Sequence, residues 1–305
     1  MTYQEALDFL YEQLPMFQRI GPAAFKKDLN NTLALCAHLD QPQEQFRSVH
    51  IAGTNGKGST AHALAAICHQ AGLKTGLYTS PHLKSFTERI RIDGQPKQEE
   101  AVTRFVNTHQ DYILELKPSF FEITVAMAFA HFAREQVEIA IIETGMGGRL
   151  DSTNVITPLL GHITNISYDH QQFLGDTLPL IAAEKAGIMK PGVPMTIGQT
   201  QPEVQEVFDK QASSLQVSLD YADQTYHIAP EESSMLEQRF SVLKHGKPWA
   251  NHWVTDLAGS YQLLNLPGIL ASAERLQALG LPITQSHIKD GLANVQALSG
   301  LRGRW

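Results

Sequence analysis

Short apolar runs rich in β-branched residues alternate with longer helix-like segments along most of the chain. The short β-branched run at 48–52 has the pattern of a buried strand, and the run at 137–142 has the continuous apolar character that parallel sheets require. This alternation predicts an α/β protein with a parallel sheet flanked by helices on both faces. Further strands are predicted at 74–79, 159–166 and 194–198, and helices at 60–70, 120–133, 261–279 and 284–293.

The segment from about 217 to 257 has a different pattern. It lacks a long helical period, and it contains short apolar runs at 226–228 and 239–243, the second followed by the turn pair His245 and Gly246. Such runs are typical of antiparallel hairpins. We therefore expect a small antiparallel β subdomain inserted in the parallel-sheet protein.

The loop at 53–59, with sequence GTNGKGS, lies between a predicted strand and a predicted helix. Its glycines let backbone N–H groups converge on an anion, the helix N-terminus adds partial positive charge, and Lys57 adds a full one. Ser59 offers a hydroxyl where a Mg²⁺ ion bound to phosphates would lie. The loop therefore predicts a nucleoside triphosphate site of the P-loop type.

This loop departs from the standard P-loop spacing. Ile51 stands at the first glycine position and Gly58 follows the lysine, so the hydroxyl is displaced to Ser59. The alternative interpretation is a glycine-rich turn that carries one surface lysine.

Glu143 directly follows the predicted strand at 137–142 and leads into a glycine-rich stretch at 144–149. Ligands of open α/β sheets bind at the carboxyl ends of the strands, so this carboxylate is expected to face the same crevice as the loop at 53–59. A carboxylate at that position commonly holds the Mg²⁺ of a nucleotide. A solvated acid at a strand end is the alternative.

His170 follows another predicted strand, and Lys185 lies beside Glu184 in a short helical segment. The chain has 13 histidines, so the position of His170 at a strand end is what favours a functional role. A lysine next to a glutamate on a helix is usually an exposed ion pair, which is the alternative for Lys185.

Composition narrows the class of protein. The 305 residues have a formal net charge of -7, which argues against a broad nucleic-acid-binding face. Only two cysteines occur, Cys36 and Cys68, which fits a reducing compartment and excludes a disulfide framework. No signal peptide and no apolar run of membrane-spanning length is seen, so we expect no membrane partner and a cytoplasmic location.

A series of short motifs occurs in a characteristic order. The chain resembles the folylpolyglutamate synthase/dihydrofolate synthase branch of the Mur ligase family, and the resemblance extends over its whole length. The motifs that carry it are 53–59, SPHL at 80–83, ERI at 88–90, Phe121, Glu122 and Thr124, ETGMGGRLD at 143–151, Thr153, Asn154, Asp169, His170, LG at 174–175 and EKAGI at 184–188.

The resemblance implies the Mur ligase central-domain fold and an ATP-dependent amide ligase. ATP would phosphorylate a substrate carboxylate, and the amine of L-glutamate would displace phosphate from the acyl phosphate. The acid would be dihydropteroate or the γ-carboxyl of a folate. Two Mg²⁺ sites are implied, with K⁺ as a further candidate ion, and the protein is expected to be a monomer.

The resemblance also assigns roles to residues. Lys57, Glu143, His170 and Lys185 would be catalytic. Ser59 and Glu143 would bind one Mg²⁺, His170 and a carbamylated Lys185 the second, and Ser80 is a further metal ligand. ATP would contact Thr54, Asn55, Gly56, Lys57, Gly58, Ser59, Thr60, Asn265 and Arg304, and the acid substrate would contact Ser80, Pro81, His82, Phe86, Arg89, Glu122, Arg149 and Asp151.

Two departures from the family pattern stand out. Tyr261 replaces a histidine beside Gln262, and Pro267 follows Asn265 closely enough to disturb the first turns of the predicted helix. Residues 301–305 resemble the family's linker to a second α/β domain. We therefore expect 1–299 to be the ATP-binding domain, with the β insertion at about 217–257. Residues 300–305 would begin a linker to a missing glutamate-ligase domain, and the chain alone would ligate poorly.

Three other functions are compatible with parts of the sequence. A Mur-type ligase acting on a UDP-sugar cell-wall precursor would share the loop at 53–59, Glu143 and His170. A P-loop NTPase that drives a conformational switch would leave the motifs at 80–83 and 184–188 unexplained. A nucleotide-binding module without catalysis is the third alternative.

Overall fold

The computed structural model describes residues 1–12, 14, 28–232, 234 and 236–302. Its main sheet has eight strands in the order β4-β3-β2-β5-β1-β6-β7-β8. The strands are β1 (Arg47–Ala52), β2 (Thr75–Tyr78), β3 (Ile90–Ile92), β4 (Gln95–Pro96), β5 (Ile139–Glu143), β6 (Leu160–Ile163), β7 (Met195–Ile197) and β8 (Leu219–Tyr221).

The predicted parallel sheet is present from β2 to β8, where each neighbouring pair runs parallel. The edge differs, because β3 pairs antiparallel with β2, and β4 pairs antiparallel with β3. The chain returns from β2 through a short 3-10 helix, Phe86–Arg89, rather than through a crossover helix. Only an antiparallel pair can be joined by so short a return, and this antiparallel edge was not predicted from the sequence.

The helices cover both faces of the main sheet. They are α1 (Tyr3–Glu12), α2 (Asn30–His38), α3 (Lys57–Gln70), α4 (Glu99–Leu116), α5 (Phe120–Arg134), α6 (Gln171–Leu174), α7 (Leu178–Ala186), α8 (Pro202–Leu215), α9 (Ala222–Thr225), α10 (Leu266–Ala278), α11 (Gln285–Ala293) and α12 (Val295–Ser299). Within the described ranges, none of them is both long and apolar enough to cross a membrane.

Strand β5 shows how the sheet separates two cores. All five of its residues are buried, and Ile139 and Ile141 face the core that contains α3, α10 and α11. Ala140 and Ile142 face the opposite core, which contains α5. Side chains of a strand alternate between faces, so a strand covered on both sides is apolar on both faces, and β5 is apolar up to Glu143 at its end.

The smaller sheet has the order β11-β10-β9, formed by β9 (Tyr226–Pro230), β10 (Gln238–Lys244) and β11 (Lys247–Thr255), and it is antiparallel as predicted. His245 and Gly246, with φ of 49° and 74°, form the two-residue hairpin turn. The insertion is shorter than predicted, because β8 lies within the predicted range of 217–257 but belongs to the main sheet.

The predicted helix at 261–279 is divided. Residues Ser260–Leu264 form a 3-10 helix, and α10 starts only at Leu266. Pro267 lies in the first turn of α10, where its missing N–H has no helical partner to lose. The predicted helix is therefore divided before Pro267, and the proline lies in a first turn that tolerates it.

Candidate functional site

The loop between β1 and α3 has the conformation of an anion cradle. Gly53 has a φ of 139° and Gly56 a φ of 82°, values that favour glycine. Gly56 is the N-terminal cap of α3, which begins at Lys57. The first N–H groups of a helix have no partner within it, so this end of α3 presents donors and partial positive charge.

The loop is supported by the segment that follows β6. The N–H of Thr54 donates to the carbonyl of Asn165 at 2.8 Å, and Thr164 Oγ1 donates to the carbonyl of Asn55 at 2.6 Å. A Cβ on Gly53 would lie 1.9 Å from Thr164 Oγ1. Residues 164–166, predicted as the end of a strand, instead support the loop, and Thr164 leaves no room for a side chain at Gly53.

Two lysines meet at this loop. Lys57 Nζ donates to the carbonyls of Gly53 and Thr54 at 3.0 and 3.1 Å, and Lys185 Nζ donates to Gly53 at 2.8 Å. Lys185 is 2% exposed. The pKa of Lys185 is lowered to about 7, chiefly by burial and also by the charge of Lys57, while Asp169 and Asp151 act in the opposite direction.

Glu143 is the last residue of β5 and is buried. Its Oε2 accepts a hydrogen bond from the N–H of Ser80 at 3.1 Å. A Cβ added to Gly58 would lie 3.7 Å from Glu143 Oε1, so the carboxylate lies beside the first turn of α3. The predicted approach of Glu143 and the loop is therefore present in the structure.

Gln262 connects the start of α10 with the loop. Its Nε2 donates to Ser59 Oγ at 3.0 Å, and its Oε1 accepts from Asn265 Nδ2 at 2.9 Å. A Cβ on Gly56 would lie 2.2 Å from Asn265 Oδ1. Asn265 was predicted at the nucleotide, whereas no contact was predicted for Gln262. Thr60 is fully buried, and its N–H bonds to Gly56.

His170 lies at the start of α6, with a φ of 46° and a side chain that is 43% exposed. Its Nε2 is 3.6 Å from Asp169 Oδ1. Among the described residues, no cluster of three or more His, Cys, Asp or Glu side chains could hold a metal ion. The donors beside α3 are the Glu143 carboxylate and the Ser59 hydroxyl, and such hard oxygen ligands fit Mg²⁺ completed by phosphate and water.

A cleft of about 670 Å³ opens beside these groups. One wall carries Gly56, Gly58, Ser59 and Glu143, and Pro81, His82 and Leu83 come from the loop after β2. The remaining lining residues are His62, Thr79, Glu88, Arg91, Leu236, Asp256, Leu257, Ala258, Tyr261, Gln262, Gln296, Leu301 and Arg302.

Phe86 and Arg89, predicted to contact the substrate, are buried beneath the loop after β2, which carries Pro81 and His82. Arg89 Nε donates to His82 Nδ1 at 2.8 Å, and its guanidinium lies 5.3 Å from the centre of the Phe120 ring. Phe86 packs edge-on against the same ring. The structure thus places Pro81 and His82 at the cleft, with Phe86 and Arg89 as their support.

The other residues predicted to contact the substrate make contacts with other groups of the protein. Glu122 forms a capping box with Ser119 at the start of α5. Asp151 Oδ2 accepts from the N–H groups of Gly145 and Met146 at 2.8 and 2.9 Å, which holds the glycine-rich stretch in place. The exposed Arg149 pairs with Glu184 at 2.8 Å, and Arg304 lies outside the described residues.

The loop at 53–56, Glu143 and the start of α10 all fall within residues 51–273, which match the family model of the Mur ligase middle domain. This chain belongs to the Mur ligase family. It is 35% identical over 296 residues to a dihydrofolate synthase/folylpolyglutamate synthase of Bacillus subtilis, covering 95% of this chain and 66% of that protein. It is 33% identical over 301 residues to a folylpolyglutamate synthase of Lacticaseibacillus casei, covering 96% and 68%.

The solved structures agree with the resemblance in the motifs. A folylpolyglutamate synthase complex with AMPPCP and folate superimposes with a TM-score of 0.88 at 32% identity, covering 97% of this chain and 72% of that one. This Mur ligase family chain therefore falls in the folylpolyglutamate synthase/dihydrofolate synthase branch. It spans about two thirds of the length of these two curated relatives, at 66% and 68%.

Proposed function

We propose that this chain is an ATP-dependent amide ligase that joins L-glutamate to dihydropteroate or to the γ-carboxyl of a folate. The observation that carries the proposal is the position of the buried Glu143 carboxylate beside the first turn of α3, with Lys57 and Ser59 in the same loop region. This is the arrangement that phosphoryl transfer requires: donors for the phosphates and a carboxylate for the cation.

The reaction would proceed in two steps. A carboxylate oxygen of the acid attacks the γ-phosphorus, the bond to the β–γ bridging oxygen breaks, and ADP leaves. The amine of glutamate then attacks the acyl carbon, the bond to the phosphate oxygen breaks, and the amine loses a proton as the amide forms. Lys57 and the N–H groups at the start of α3 would stabilise the negative charge on the phosphates, so their contribution is positioning and electrostatics.

The cations remain proposals that rest on the donor chemistry. Ser59 and Glu143 would hold one Mg²⁺, which when bound neutralises phosphate charge, and Ser80 lies against Glu143 through its N–H. His170 and a carbamylated Lys185 would serve a second ion, Mg²⁺ or K⁺. Carbamylation needs a neutral amine, and burial lowers the pKa of Lys185 to about 7, which supplies one near neutral pH.

The other assignments are proposed on the family resemblance. Pro81 and His82 line the cleft where a pterin acid would bind, and Asn265 lies against the loop at 53–56 where the nucleotide would bind. A relative binds AMPPCP together with folate, which supports ATP and a folate as ligands. We further propose a cytoplasmic monomer in which 1–299 form the ATP-binding domain and 300–305 begin a linker.

The test is ADP release by this chain with Mg-ATP, L-glutamate and either dihydropteroate or folate. We expect slow turnover that requires the pterin acid, in keeping with the poor ligation expected of this chain alone, and a loss of roughly a hundredfold in the Lys57→Ala variant. The exposed Lys210→Ala variant, which loses only a surface pair with Glu206 at 2.6 Å, is the matched control.

The same assay separates the alternatives. Turnover that follows a UDP-sugar acid instead of a pterin would identify a cell-wall ligase, although the relatives found here argue against it. Nucleotide binding that is lost in Lys57→Ala, without turnover in the parent, would instead identify a nucleotide-binding module.

A further inference from the structure

Arg91, in strand β3 next to the edge of the main sheet, is a buried cation with few polar contacts. It is 5% exposed and lines the cleft. Its Nη1 donates to the carbonyl of Gly94 at a long 3.4 Å, and its Nε has no hydrogen-bond partner among the described residues. No carboxylate in the described part of the chain forms an ion pair with it.

Burial without an ion-pair partner is energetically unfavourable for a guanidinium. A buried charge is normally paired, because removal from water costs several kcal/mol that a partner must offset. The acid that acts most strongly on Arg91 is Glu88. The Glu88 carboxylate, however, is occupied by the N–H groups of Leu83, Lys84 and Ser85 at 2.9, 3.4 and 3.2 Å. It therefore anchors the loop after β2 instead of pairing with Arg91.

A second cation lies near the first. Arg302 is exposed and lines the same cleft, and its charge acts on Arg91. Burial lowers the pKa of Arg91, Glu88 raises it and Arg302 lowers it again. The cleft lining also carries the carboxylates of Glu88, Glu143 and Asp256, so its charge is mixed. Because Glu88 is held by backbone N–H groups, a ligand anion that approaches Arg91 would find a guanidinium without an ion-pair partner among the described residues.

We propose that Arg91 and Arg302 form a subsite that binds the carboxylate of a glutamyl group in the cleft. The guanidinium fork of Arg91 matches a carboxylate in two parallel hydrogen bonds, and its unpartnered Nε supplies one donor. This inference rests on the proposed function, since it assumes that the cleft receives glutamate. The glutamyl group could be free L-glutamate or the glutamate tail of a folate.

A structural role for Arg91 makes a different prediction. The guanidinium lies against the residue that ends α12, and a Cβ on Gly300 would lie 2.7 Å from Arg91 Nη1. If Arg91 served only to hold this segment, its removal would destabilise the protein. If it is an unpaired cation kept for a ligand, an apolar side chain of similar length would leave the free protein as stable or more stable.

The experiment compares the parent, Arg91→Met, Arg302→Gln and a control, Arg239→Gln, which removes a charge from the exposed pair with Glu237. Calorimetric titrations in the presence of Mg-AMPPCP measure binding of L-glutamate, folate and pteroate, which lacks the glutamate tail. Thermal unfolding without ligand is recorded for each variant.

We expect Arg91→Met to unfold at the parent temperature or above it, to bind Mg-AMPPCP normally, and to lose at least about tenfold in affinity for a glutamyl ligand. Arg302→Gln should lose several-fold and Arg239→Gln nothing. Loss for L-glutamate identifies the incoming amino acid as the occupant. Loss for folate with unchanged pteroate binding identifies the glutamate tail.

The proposed subsite would be overturned by equal affinities in parent and variants, or by a parent that does not bind a glutamyl ligand. It would also be overturned if Arg91→Met unfolds at a lower temperature while its ligand binding is unchanged. Failure of Mg-AMPPCP to bind the parent would instead overturn the proposed function, so the two failures are distinguishable.

Discussion

Lys57 and Lys185 donate hydrogen bonds to the same carbonyl oxygen, that of Gly53, at 3.0 and 2.8 Å. The residues come from different helices, and only Lys185 is nearly inaccessible to solvent, at 2%. The shared acceptor brings two amines close together, so the proton on Lys185 is destabilised by burial and by the charge of Lys57. This arrangement makes the pH dependence of stability a test of the site.

The pKa of Lys185 is about 7 in the folded protein, below its ordinary 10.5. The unfolded chain therefore binds more protons between these values, and stability should rise with pH across that window. We expect Lys185→Met to stabilise the protein at pH 6 more than at pH 9, as measured by urea unfolding at both pH values. The exposed Lys289→Met variant should show no such difference, and a pH-independent gain in Lys185→Met would refute the assignment.

Carbamylation of Lys185 is testable without activity. In ¹³C-bicarbonate at pH 8, NMR should show a carbamate signal that is absent from Lys185→Gln. Lys190, whose Nζ donates to the carbonyl of Asn154 at 3.0 Å, is the matched lysine, and Lys190→Gln should keep the signal. A signal that disappears with Lys190 instead would place the modification outside the site.

Glu143→Gln removes the negative charge while leaving an oxygen to accept from the N–H of Ser80. We expect Mg²⁺ to strengthen nucleotide binding in the parent and to have little effect in this variant, a difference of roughly tenfold or more. Titration of AMPPCP with Mg²⁺ and with EDTA measures it. Glu203→Gln, at an exposed position in α8, should behave as the parent. Retained Mg²⁺ dependence in Glu143→Gln would contradict the proposed ligand.

Gly58→Ala should separate folding from binding. Its Cβ would make ordinary contacts with Glu143, at 3.7 and 3.8 Å, so the unfolding temperature should change little. The methyl group would occupy space between the first turn of α3 and the carboxylate, and we expect Mg-AMPPCP affinity to fall by roughly tenfold. Unchanged affinity, measured by calorimetry, would show that the nucleotide does not use this space.

Gly53→Ala, unlike Gly58→Ala, should mainly lower the stability of the fold. The φ of 139° and the approach of Thr164 Oγ1 to 1.9 Å both oppose a side chain, so we expect destabilisation by more than about 2 kcal/mol. Gly192 also has a positive φ, of 73°, but has open space around it, and Gly192→Ala should cost about 1 kcal/mol. Equal losses in urea unfolding would mean that Thr164 moves aside easily.

The sequence was sufficient for features that depend on local patterns. The buried strands around 48–52 and 137–142 follow from their β-branched and apolar residues, and the helix after the loop at 53–59 was predicted at 60–70, although α3 already begins at Lys57. Glu143 could be placed at the crevice because parallel strands end on the same edge of a sheet. The capping box of Ser119 and Glu122 was also readable from its spacing, although the family resemblance had directed Glu122 to the substrate.

Contacts between distant segments could not be read from the sequence. Gln262 reaches Ser59 across 203 positions, and Arg91 meets Gly300 only because the edge of the sheet turns back antiparallel. No periodicity encodes either contact, since each depends on how whole elements pack. For the same reason the support that Arg89 gives to the loop carrying His82 could not be read from the sequence, and the contact of Phe86 and Arg89 with the substrate stays a prediction.

The brace between the segment after β6 and the loop at 53–56 affects the thermodynamics of binding. Thr164 and Asn165 hold the backbone of this loop through contacts that exist without any ligand. The entropy of ordering the cradle is therefore lost when the protein folds, and a nucleotide meets donors already in place. The same hydrogen bonds therefore contribute both to the rigidity of this part of the sheet and to the affinity for phosphate.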